Sequence, residues 1–192
     1  MKNSYVRFFA ALFICLAVAG CSSMPGSITE RTSSFDGSTE LSMKPAFIYR
    51  SSDGFSGSDL QASLHWRSSM DSDQLILTMY ANGIHRIPSE NSLKIKINGD
   101  LYEFSSIDLF TDFASKYGPS SSWAIVPPSN SSLKRYAVET GFIRSMLSAK
   151  DVRVRLNLGT ANYVEGIFSD TTLSAAKPAF EEFMRKRAKL ME

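Results

Sequence analysis

Few residues in this chain have types and spacings that could do chemistry. His65 and His85 are its two histidines. An imidazole base or metal ligand needs a serine and a carboxylate, or further ligands, brought to it in space. No close His/Asp/Glu spacing supplies them, so both histidines read as solvent-facing strand and loop residues. Gly54-Phe55-Ser56-Gly57 lacks the G-x-S-x-G spacing of a nucleophile elbow and reads as turn chemistry. Asp71 and Asp73 lack the other oxygen ligands of a calcium loop, and no phosphate-cradling glycine motif is present. Four basic residues are more suggestive: Lys94 with Lys96, and Arg153 with Arg155. Residues two apart share one face of a strand. Were the two strands neighbours, the four would form a cationic strip able to meet phosphate or another anionic group, with Glu103 and Glu165 placed to neutralise it. The simpler use of such residues is an ordinary solvated sheet face.

The elements that must position these residues are mostly strands. Leu60, Ala62, Leu64 and Trp66 alternate with Gln61, Ser63, His65 and Arg67, the signature of a half-buried strand. Leu75, Leu77 and Met79 repeat the pattern after a polar hairpin loop at residues 68–73. Asn98-Gly99 supplies two residues that tolerate positive φ, as a two-residue type I′ turn requires. Taking them as the loop pairs Ile95 with Tyr102, Leu93 with Phe104, and Lys94 with Glu103, so turn chemistry and alternation agree on one register. Residues 107–117 suit a short helix or a strand, residues 123–126 a strand before Pro127-Pro128, and residues 133–138 another.

Thr140 can cap a helix over residues 141–149 that carries Phe142, Ile143, Met146 and Leu147 on one face. Val152, Val154, Leu156 and Leu158 alternate again, and residues 163–168 are their partner strand. A last amphipathic helix begins near Pro178 with an apolar stripe of Phe180, Phe183, Met184 and Met191. Its acids lie early and Arg185, Lys186, Arg187 and Lys189 late, which complements the helix dipole and favours Glu181–Arg185 and Glu182–Lys186 pairs. The expected fold is α+β, a mainly antiparallel sheet with about two helices packed on one face.

The N-terminus has the layout of an export signal. Lys2 and Arg7 precede an uncharged apolar run over residues 8–18, followed by Ala19 and Gly20. The run is shorter than the about 20 apolar residues that a spanning helix needs. Val18-Ala19-Gly20-Cys21 resembles the lipobox of bacterial lipoproteins. The resemblance implies cleavage before Cys21, a diacylglyceryl thioether on its sulfur and acylation of its new amino end. Three acyl chains exceed the two signals that hold a protein stably on a bilayer. Ser22, not being Asp, implies the outer membrane under enterobacterial-type sorting, with the domain facing the periplasm.

Lys2 and Arg7 are the only charges in the signal, so the chain's 21 basic and 19 acidic residues come to an even balance in the mature part. That balance gives no general attraction to nucleic acid. Cys15 lies in the signal and Cys21 carries lipid, which leaves the folded part without disulfide, thiol nucleophile or cysteine-held metal. The expected organisation is a signal at 1–20, a lipidated Ser/Gly/Thr-rich flexible tether at 21–39, and one domain at 40–192. No catalytic residues, metal or cofactor are assigned. The expected role is a non-enzymatic binding or accessory module touching an envelope protein or anionic glycan. An envelope hydrolase, or an inhibitor or immunity-type protein, is the alternative. A pocket joining a histidine to a serine and a carboxylate would favour the hydrolase, and an exposed loop or sheet edge the inhibitor.

Overall fold

A computed structural model describes residues 25–48, 60–115, 130–159, 162–169 and 174–192. The expected signal with its lipobox-like Val18-Ala19-Gly20-Cys21, the Gly54-Phe55-Ser56-Gly57 stretch, and residues 123–128 lie outside the described residues. The described part is α+β and antiparallel in all its strand pairings. Its strands divide into two sheets rather than one.

The larger sheet runs in the order β1 (Ile28–Thr32), β2 (Thr39–Met43), β4 (Leu60–Arg67), β5 (Gln74–Asn82), β9 (Asn130–Glu139) and β8 (Asp112–Ser115), with β3 (Ala46–Phe47) also on β4. The smaller sheet runs β11 (Asn162–Ile167), β10 (Val152–Leu158), β6 (Leu93–Ile97) and β7 (Asp100–Phe104). The alternating apolar residues of β4, β5, β6 and β10 all turn inward into one core shared by both sheets. Helix α1 (Thr140–Ser148) packs on β9, and α2 (Ala176–Leu190) on β2, β3 and β4. Phe142 of α1 meets the rings of Tyr102 and Phe104 edge-on, and Phe180 of α2 meets Phe168. Inside the core, the Tyr136 hydroxyl of β9 and the Ser92 hydroxyl ahead of β6 share a buried 2.8 Å hydrogen bond linking the two sheets.

The Asn98-Gly99 hairpin has the expected register at all three pairs, with φ of 50° at Asn98 and 108° at Gly99. The flexible tether expected at 21–39 does not hold over residues 28–32, because Ile28–Thr32 is a strand paired along its length with β2. Polar composition hid this. Ile28 packs on the core, and the turn that follows is tied down by Asp36. That carboxylate accepts from Ser38 and from Arg67 of β4, each at 2.7 Å. Hydrogen bonds from Ser33 and Ser38, then the Arg67 charge, hold its pKa well below the usual carboxylate range.

Two local expectations differ. Thr140 is the first residue of α1 rather than its side-chain cap, and its hydroxyl and N–H both donate to the Asp73 carbonyl. Arg185 pairs with Glu182 one turn back at 2.6 Å, rather than with Glu181. Arg187, one of the late basic residues of α2, is buried: it donates to the Ser72 carbonyl and stands 5.4 Å from the Trp66 ring centroid. Burial, with repulsion from Arg144, lowers its pKa.

Candidate functional site

The four basic strand residues come together. β10 pairs antiparallel with β6, so Arg153 stands directly opposite Lys96 and Arg155 directly opposite Lys94 on the outward face of the smaller sheet. Sequence placed each pair on one strand face, but the adjacency of the two strands depends on a connection of more than fifty residues, which periodicity does not read. The turn keeps the strands in step: the Asn98 N–H donates to the Asp151 carbonyl at 2.8 Å, and the Asp151 N–H to the Asn98 side chain at 3.2 Å.

Reading across the strands gives two rows. One row runs Glu165, Arg155, Lys94, Glu103. Lys94 meets Glu103 at 2.5 Å, Arg155 meets Glu165, and the Arg155 guanidinium also lies 4.2 Å from the Tyr163 ring centroid. This row is neutral within itself. The next row runs Ile167, Arg153, Lys96, Leu101. Arg153 reaches Asp151 at 3.4 Å, while Lys96 has no carboxylate within ion-pair distance among the described residues. Like charges directly opposite on a sheet repel in both rows, and with Asp151 alone set against two cations the second row carries the cationic excess. The face encloses a trough of about 810 Å³.

The histidines are placed differently. On the outward face of the larger sheet, His65 Nδ1 lies 3.1 Å from the Ser42 hydroxyl and 3.6 Å from Glu40, and the Ser42 hydroxyl donates to Glu40 at 3.1 Å. This corner opens on a hollow of about 530 Å³ beside Tyr80 and Arg135. It contains the residue types of a hydrolytic triad with the wrong wiring. A triad needs hydroxyl and carboxylate on opposite ring nitrogens, so that one accepts a proton while the other steadies the ring. Here both approach Nδ1. The neighbouring backbone N–H groups belong to strands paired on both sides, which leaves none aimed at a developing oxyanion. His85 turns its Nε2 to the Asn82 carbonyl at 2.8 Å, and the nearby Ser132 hydroxyl instead bonds the His85 N–H and the Gly83 carbonyl. Among the described residues, no three His, Cys, Asp or Glu side chains gather as metal ligands, and no helix is long and apolar enough to cross a membrane.

A residue that sequence reasoning missed is Lys134. It falls on the inward side of β9 and is fully buried. Its ammonium donates to the Ser89 hydroxyl at 3.0 Å and to the Asp108 carbonyl at 2.8 Å. Desolvation lowers its pKa, partly offset by Asp108 and Asp112. Its position between Leu133 and Arg135 in strict alternation with Ser132, Tyr136 and Val138 was the available signal. The chain matches no protein-family model, no curated protein and no solved structure.

Proposed function

We propose that this chain is a cell-envelope lipoprotein, held through lipidated Cys21 on the periplasmic side of the outer membrane, that binds anionic envelope glycan without catalysing a reaction. The observation that carries the binding role is the direct opposition of Arg153 to Lys96 beside that of Arg155 to Lys94. Two like-charged cross-strand pairs cost stability in the free protein. An anion laid across them relieves that repulsion. The surface ion pairs that partly neutralise the face are each worth at most about 1 kcal/mol, so a polyanion can compete with them. Location rests on the lipobox-like Val18-Ala19-Gly20-Cys21. The Ser42–His65–Glu40 corner supports the non-enzymatic reading, since its shared Nδ1 leaves no activated nucleophile.

Two variants of the full-length protein test the two halves separately. Cys21→Ser abolishes incorporation of labelled palmitate and releases the protein from membranes, while the domain still folds. Label persisting on that variant sinks the anchor. Lys96→Glu lowers affinity for lipopolysaccharide in a calorimetric titration by roughly tenfold at low salt, as expected for a lost cation and a new repulsion. Unchanged affinity removes this face from the function.

A further inference from the structure

We infer that the turn at residues 107–113 is a second membrane contact, an apolar wedge that seats the domain against lipid at the sheet edge farthest from the anchored end. The inference rests on the lipid-anchored reading of Cys21.

Ile107, Leu109, Phe110 and Phe113 are all exposed within seven residues, Leu109 by 83% and Phe110 by 82%. Exposed apolar clusters of this kind mark membrane or protein contacts. The turn is braced from behind. The Ser89 hydroxyl donates to the carbonyls of Asp108 and Leu109 at 3.1 and 2.8 Å, and buried Lys134 donates to the same Asp108 carbonyl. The Thr111 hydroxyl accepts the Ile87 N–H at 2.9 Å and donates to the Ile87 carbonyl at 3.2 Å. With its carbonyls drawn inward, the turn projects Leu109 and Phe110 outward on a fixed support. Buried Lys134 thus acquires a role, since it spends its charge holding an exposed turn in shape.

Charge and position favour lipid as the occupant. Arg135 pairs with Asp108 at 3.0 Å and Asp112 at 2.7 Å, and buried Lys134 interacts electrostatically with the same two acids, so two cations balance the two carboxylates beside the wedge. The anchored end leaves the domain at the other edge of the larger sheet. There the Ser27 carbonyl accepts the Lys44 N–H at 2.9 Å, and Gly26 lies so close to Ala179 that a Cβ would meet it at 2.7 Å. From Cys21 to this fixed point the chain reaches at most about 18 Å, which confines the domain to the bilayer surface. β1 and β8 are five strand spacings apart, roughly 24 Å. A lipid at one edge and an apolar wedge at the other give two separated attachment points. Aromatic and aliphatic side chains at such a contact bury about 5–10 Å into the headgroup boundary.

The test uses the lipidated full-length protein in vesicles of phosphatidylethanolamine and phosphatidylglycerol. Leu109→Cys introduces a free thiol for an environment-sensitive fluorophore, the Cys21 sulfur being occupied by lipid. Ser145→Cys on the exposed side of α1 serves as the comparison site. Emission from position 109 should shift to the blue and be quenched by lipids brominated in the acyl chain, while position 145 stays aqueous. Adding Phe110→Ser should remove more than half of the shift. Protein that floats with the vesicles while position 109 stays aqueous overturns the contact, as does equal quenching at both sites. A shift that appears only in native envelopes and not in pure lipid reassigns the turn to a protein partner and overturns it too. Failure to float sinks the anchor reading, and the contact falls with it.

Discussion

On the outward face of the larger sheet, polar side chains meet partners on the next strand or their own: Ser63 meets Tyr80 across strands at 3.2 Å, and Ser42 meets His65 across strands and Glu40 along its own. On the outward face of the smaller sheet, Arg153 meets Lys96 and Arg155 meets Lys94, pairings that neither cation can satisfy with the other. The two faces share the same alternation and stand on the same core. They differ in what they leave over. The first meets polar groups with polar groups of its own, and Ser63 and Thr78 are buried although they face outward. The second leaves cationic charge that its own carboxylates only partly meet. A sheet face that is closed on itself has structural work to do; one that holds back charge is where a ligand finds free energy.

That comparison presupposes a common core, and its sharpest test is there. Phe183 of α2 is fully buried behind the larger sheet, whereas Lys186 lies partly exposed on the same helix. Phe183→Asp removes a large ring and buries a carboxylate, and should cost about 4 kcal/mol or more. Lys186→Ala should cost at most about 0.5 kcal/mol. Equal thermal melting of the two would mean that α2 does not support the sheet.

The bond between the two sheets comes next. Burial pushes the Tyr136 pKa up to about 12, with the Ser92 hydrogen bond opposing the rise. The unfolded chain loses this proton near pH 10 and the folded one near pH 12, so between those values the folded state binds more protons. Stability therefore falls as pH rises through that window, by up to about 3 kcal/mol. Tyr136→Phe should cost about 1 kcal/mol at neutral pH, where the bond to Ser92 is lost, and that deficit should shrink as pH climbs from 10 to 12. Urea unfolding at stepped pH reads both. A deficit that stays constant would show that the Tyr136 hydroxyl is not buried between the sheets.

Legibility followed the range of the interaction. The Asn98-Gly99 hairpin was readable to the residue because a turn, an alternation and a charged pair all sit within twelve residues. The polar face of β4 was readable too, as was the apolar stripe of α2. The meeting of β6 with β10 was not, since nothing local distinguishes a strand's left neighbour from its right. β1 was missed because a polar Ser/Gly/Thr-rich stretch suits a tether as well as an edge strand, and its ordering comes from pairing with β2, the packing of Ile28 and a turn held by the distant Arg67. Lys134 was missed because a lysine on the inward face contradicts hydrophobic patterning. Only the arrival of Ser89 and Asp108 from two separate loops makes its burial tolerable.

The smallest effects separate the two faces most directly. Lys96→Glu puts a carboxylate opposite Arg153 and should stabilise the free protein by about 0.5 kcal/mol while weakening its hold on polyanions, so stability and binding move in opposite directions. A merely structural strip would move neither this way, because a residue kept for folding does not improve folding when reversed. His65→Gln, on the closed face, keeps a side chain able to bond Ser42 and should change stability by no more than about 0.5 kcal/mol, leaving the lipopolysaccharide isotherm superimposed on that of the unaltered protein. An envelope defect from His65→Gln as severe as that of Cys21→Ser would break the comparison, since it would give the Ser42–His65–Glu40 corner a task that its shared Nδ1 geometry does not support.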